Sequence, residues 1–158
     1  MKNAVLVTQL TELLHGGHAH ATFADAVKKF PFDCAGIRPP GAPHSAWELV
    51  EHMRIALHDI LCFSREPRHV SPKWPEGYWP ATPAPESESQ WKRSVAAIRR
   101  DLTAFEKLLE EQADKLDKPF PWGDGQTLLR EAFLIADHNA YHLGQLVLVR
   151  RLLGAWPH

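Results

Sequence analysis

Proline placement constrains this chain more than any other feature. The prolines fall almost entirely in three groups, residues 31–43, 67–85 and 119–121. Proline lacks a backbone N–H and clashes with the preceding helical turn, so none of these groups can sit inside a helix. Four long proline-free stretches remain, and each carries apolar residues at steps of three and four, the period of an amphipathic helix. The pattern predicts an all-α domain.

The first stretch, Asn3 to Lys29, places Val5, Leu6, Leu10, Leu13 and Leu14 on one side, then Phe23, Ala26, Val27 and Phe30. Gly16-Gly17 interrupts it, so it is either one kinked helix or two helices. The second begins at Ser45, an N-cap with Glu48 three residues on completing a capping box, and runs to about Phe63. The third opens at Ser87 or Ser89, with Ser87 and Gln90 forming a second capping-box match, and continues through Trp91, Val95, Ile98, Leu102, Phe105 and Leu109. The fourth is capped by Asp124 or Thr127, runs to about Leu153 and stops at Gly154. Short connections force neighbouring helices to run in opposite directions. The expectation is an antiparallel four-helix bundle, one domain over residues 1–158, with a long connection between helices two and three.

That connection, Ser64 to Pro85, is longer than a compact domain usually leaves without structure. Trp74, Tyr78 and Trp79 predict that it packs onto the body. It either covers one end of the bundle and contributes to a pocket, or is a crossover pinned by aromatics.

Composition narrows the function classes. The 18 basic and 19 acidic residues nearly cancel, without a basic block or stripe, which argues against nucleic-acid binding. No apolar run is long enough for a membrane span, and no signal-peptide pattern is present at the N-terminus. Cys34 and Cys62, the only cysteines, form no disulfide or CxxC pattern and fit a reducing, cytoplasmic compartment. Cys62 reads as a small core residue, since nothing in the sequence pairs it with a base.

Ten histidines are the unusual part of the composition. His138 and His142, in Asp137-His138-Asn139-Ala140-Tyr141-His142-Leu143-Gly144-Gln145, lie one turn apart on one face of the most apolar stretch. His52 sits mid-way along the second helix. Neutral imidazole suits zinc, nickel, iron or copper, and three such rings leave a coordination position free. Read from residues alone, the pair is a metal site, a set of hydrogen-bonded core rings, or an acid–base pair. It is not the His-Glu-x-x-His protease pattern, because Asn139 stands where the glutamate would be. Glu48, Asp59, Asp137 and Gln145 are candidates to hold the outer imidazole protons. Tyr141, turned about 100° from its neighbours, reads as packing. His15, His18 and His20 around the glycine break read as solvated; His44, His69 and the terminal His158 complete the set outside the helices.

At these residues the chain resembles the DinB/YfiT-like family of small metal-binding four-helix proteins. The resemblance covers nearly the whole length and is most specific at His138-x-x-x-His142-x-Gly144-Gln145, with His52 in Trp47-Glu48-Leu49-Val50-Glu51-His52. It implies a divalent metal, nickel or zinc, on His52, His138 and His142, with water at open positions. It also implies a homodimer acting on a small molecule and, by analogy with characterised branches, transferase or isomerase chemistry on low-molecular-weight thiols such as bacillithiol or mycothiol. One common form of the motif has arginine before Gly-Gln; here that residue is Leu143. The chain therefore reads as a metal-dependent hydrolase or thiol S-transferase, with a non-catalytic metal or small-ligand binding protein as the alternative.

Overall fold

The computed structural model describes residues 2–156, with side chains from residue 3. Among these residues there are five α-helices and no strand: α1 Lys2–His15, α2 Phe23–Val27, α3 Ala46–Arg65, α4 Glu88–Glu111 and α5 Leu128–Leu152. The first proline-free stretch is thus two helices. His15 ends α1, Gly16 and Gly17 take φ of +69° and +94°, and only glycine enters that region without strain. The restart is specified by Thr22, whose hydroxyl accepts from the Asp25 N–H while Asp25 accepts from the Thr22 N–H. His158 lies outside the described residues.

Ser45 and Glu48 form the expected capping box on α3. Ser87 caps α4, but the second half of its box is absent: the Gln90 side chain accepts from the N–H of Glu86 instead. Thr127, not Asp124, caps α5. At the other end of α5, Gly154 with φ of +66° closes the helix while its N–H bonds Arg151 and the Ala155 N–H bonds Arg150.

The central helix is α3, which packs against both α4 and α5, while α1 contacts α5 and α4 and α2 rests on α5. Trp47, Leu49, Val50, Met53, Leu57 and Leu61 from α3 meet Ile98, Phe105 and Leu109 from α4 and Ala132, Ile135, Leu143 and Leu146 from α5 in one core. Residues 66–87 join α3 to α4 with only a 3-10 turn, Glu76–Tyr78, inside them. Tyr78 and Trp79 dock onto the body as expected, but Trp74 is 72 % exposed and meets the Tyr78 ring edge-on.

Glu131, in the first turn of α5, is buried and bonds Arg130 at 2.7 Å. Burial raises its carboxyl pKa above the ordinary value, outweighing the pull of Arg130. A pKa raised in the folded state favours folding at low pH, and that contribution is lost as pH rises through the raised value. Glu131→Gln should therefore raise the melting temperature at pH 7.5 and bring no gain at pH 4; melts of both proteins at the two pH values check the sign.

Candidate metal centre

Position 52 lies in the buried middle of α3, and α5 carries His138 and His142 one turn apart on the face turned toward it. The three rings form a nearly regular triangle. Centroids are 4.8 Å apart for His52 and His138, 4.5 Å for His52 and His142, and 4.5 Å for His138 and His142. One nitrogen from each ring falls in a group whose members all lie within 4.8 Å of one another.

Hydrogen bonds on the far sides of the rings set their tautomers. His52 Nδ1 lies 2.8 Å from the carbonyl oxygen of Tyr78. A carbonyl only accepts, so Nδ1 carries the proton and Nε2 a lone pair. His142 Nδ1 donates to Gln145 Oε1 at 2.8 Å, which likewise turns a lone pair inward on Nε2. His138 Nε2 stands 3.0 Å from His52 Nε2. Two facing lone pairs at that distance repel unless a proton or a cation lies between them. Nitrogens about 2.0–2.1 Å from one ion stand roughly 3–3.5 Å apart, so the spacing fits a shared divalent ion.

The surroundings keep the rings uncharged. Burial, then the neighbouring His142 and His52, pushes His138 down to about 4. Burial likewise lowers His52 and His142, partly offset by the bonds to Tyr78 and Gln145. Neutral imidazole is the form that ligates a metal.

The long connection contributes directly. Trp79 stacks on His52 with centroids 4.0 Å apart and planes at 4°, and His44 stacks on the opposite face of Trp79, also at 4.0 Å. The loop is held by Asp59, which accepts from the Tyr78 hydroxyl at 2.6 Å and bonds His69 at 2.7 Å. Asp59 thus acts on the loop that orients His52, not on an imidazole of the triangle.

Other expected neighbours lie elsewhere. Glu48 is committed to the Ser45 N–H and to a bidentate pair with Arg38, so it holds no imidazole. Asp137 is exposed on the outer face of α5. Tyr141 is 66 % exposed, meets the His142 ring edge-on, and does not pack inside. Leu143 is buried in the core, pointing away from any polar task. His15 pairs with Glu106 at 3.0 Å, while His18 and His20 are exposed, as expected of the glycine break.

A profile of the DinB superfamily matches residues 17–146. The chain belongs to the DinB superfamily. No curated protein and no solved structure matches it significantly. In this DinB-superfamily chain the matched span takes in all three clustered histidines and Gln145 and ends one residue later. The Tyr78 carbonyl had no signature in the sequence, because a main-chain acceptor is common to every residue. Gln145 was legible from its three-residue step beyond His142.

Proposed function

We propose that His52, His138 and His142 bind one divalent ion, nickel or zinc, and that the protein is a metal-dependent enzyme of the hydrolase or low-molecular-weight-thiol S-transferase type. The observation that carries this reading is the pair of outward N–H bonds, to Tyr78 and Gln145, that aim two Nε2 lone pairs at the place His138 also faces. Structural zinc sites are closed by four protein ligands, whereas catalytic ones keep a position open. Among the described residues, no thiol or carboxylate joins the three histidines. Three neutral ligands leave the charge of a divalent ion uncompensated, which favours an anionic fourth partner. Once bound, such an ion would lower the pKa of a coordinated water or thiol.

The protein's own groups supply orientation and shelter. Gln145 fixes the tautomer of His142, the Tyr78 carbonyl fixes that of His52, and Trp79 covers the His52 face against water. A cleft of about 300 Å³ is lined by none of the three histidines but by His44 and Gln145, which touch Trp79 and His142, together with Leu49, Leu148 and Leu152, and has the size for a small-molecule substrate. Removing a group that orients a metal-ligating histidine typically costs 10–100-fold in metal affinity or activity. Gln145→Leu should weaken nickel binding by about that factor with the helix content retained, as read by competition with a chromophoric chelator.

The broader picture belongs to the same proposal: an antiparallel bundle of α1, α3, α4 and α5, a cytoplasmic location, and a homodimer. The balanced charge fits no nucleic-acid partner, and no helix among the described residues is long and apolar enough to cross a membrane. The deciding experiment reconstitutes the protein with nickel or zinc, measures metal content, and adds a panel of small thiols and ester and amide substrates. Stoichiometric metal with metal-dependent transfer of a thiol to an added electrophile selects the transferase; metal-dependent hydrolysis selects the hydrolase. Metal bound without either favours a binding protein, and no bound metal removes the proposal.

A further inference from the structure

A second cluster lies on another side of α3, away from the histidine triangle. His58 follows His52 by six residues, which turns it about 240° around the helix. Its Nδ1 lies 3.0 Å from Oδ2 of Asp101 on α4, and its Nε2 lies 3.6 Å from the sulfur of Cys62, one turn further along α3. Asp101 is 3 % exposed and its other oxygen accepts from Arg100 at 2.9 Å. The four-residue step from His58 to Cys62 was not singled out in the sequence, and the partner that orients the imidazole comes from another helix.

These contacts assign roles. A carboxylate accepts, so His58 Nδ1 carries a proton, and in the neutral ring Nε2 offers its lone pair to the thiol. A nucleophile, a base and a group that holds the base in one tautomer are the three parts of an activated nucleophile. Half of the His58 side chain is exposed and Cys62 is partly exposed, so a small reagent can reach the sulfur.

We propose that Cys62, with His58 as its base and Asp101 as the orienting carboxylate, is a nucleophilic modification site for small, uncharged, soft carbon electrophiles. Soft character follows from the sulfur, and small size from its partial burial. The absence of negative charge in the reagent follows from the groups around the thiol. Glu66, Asp101 and Asp59 all act on it, against Arg65 alone on the other side. Burial and those carboxylates push the thiol pKa up, so Cys62 rests protonated and reacts by giving its proton to His58 as it attacks. With iodoacetamide as the probe, an S–C bond forms, the C–I bond breaks, iodide leaves with the bonding pair, and the thiol proton moves to His58 Nε2.

Cys34, the other free cysteine, is also partly exposed and serves as the internal reference. The test times alkylation of both cysteines in the full-length native protein by peptide mass spectrometry, for wild type and His58→Gln. The proposal expects Cys62 to react faster than Cys34 in wild type. It expects His58→Gln to slow Cys62 about tenfold or more while Cys34 is unchanged. It also expects iodoacetate, which is anionic, to lose more rate relative to iodoacetamide at Cys62 than at Cys34. An unchanged Cys62 rate in a folded His58→Gln overturns it. Should the variant unfold and both cysteines speed up, the wild-type comparison decides alone, and Cys62 slower than Cys34 overturns the proposal.

Discussion

His138→Ala and His142→Ala should each lower nickel or zinc affinity by more than about 100-fold, beyond the loss expected from removing an orienting group. Each substitution removes one of three inward nitrogens and leaves two neutral ligands that cannot enclose an ion. Far-UV circular dichroism should stay close to wild type, because the helices are held by Leu57, Ile98, Phe105, Ile135 and Leu146, which do not depend on a metal. His69→Ala is the informative control. His69 bonds Asp59, which still has the Tyr78 hydroxyl, whose residue's carbonyl holds His52. Two removes from the ring, its loss should change affinity by less than about tenfold. Calorimetric titration of the four proteins measures all these values. Equal affinity in wild type and both α5 variants would defeat the ligand assignment, and a His69→Ala loss as large as theirs would move the third ligand.

Arg150→Ala should lower stability by about 3 kcal/mol or more, which is about 6–12 °C in melting temperature for a chain of this length. Arg150 is 1 % exposed. Its guanidinium donates to the carbonyls of Ala155, Asp25, Ala26 and Lys28 at 2.8–3.0 Å. It also lies 5.3 Å from the Phe30 ring and 5.4 Å from the Trp156 ring. One side chain thus ties the end of α2 and the chain after α5 to the body. Deleting it leaves several carbonyls without donors, and an unsatisfied buried polar group costs about 1–3 kcal/mol. Lysine cannot substitute, because a single ammonium lacks the planar fork that reaches four acceptors. Thermal melts of Arg150→Ala and Arg150→Lys should both fall; a Lys variant as stable as wild type would show that the charge alone matters.

The parts of this protein that were legible in its sequence are those written by local chemistry. Prolines bounded the helices, Ser45 with Glu48 announced α3, and the four-residue step from His138 to His142 put two rings on one face of α5. Features that depend on distant chain segments were not legible. Glu48 looked like a partner for His52, but Arg38, ten residues earlier, and the Ser45 N–H occupy both its oxygens. Cys62 read as a small core residue with no base paired to it, and the contact of the neighbouring His58 with Asp101, 39 residues beyond Cys62 on α4, has no mark in the sequence. Gly16-Gly17 marked either a kink or a break, and the Thr22 capping box that restarts the chain as α2 was not singled out in the apolar pattern. Arg150, one of a basic pair near the end of α5, has a sequence context that does not set it apart from an exposed charge at a helix C-terminus. Its burial follows from where α2 docks, and no spacing along the chain encodes that.

Anomalous diffraction from crystals of the nickel-loaded protein, collected at the nickel edge, is the most direct measurement of the central claim. The account predicts one strong peak per chain, within bonding distance of imidazole nitrogens from residues 52, 138 and 142, and reached by no carboxylate or thiol of the protein. A map with no peak between α3 and α5, or with the ring of His52 swung away from an ion held elsewhere, would contradict it.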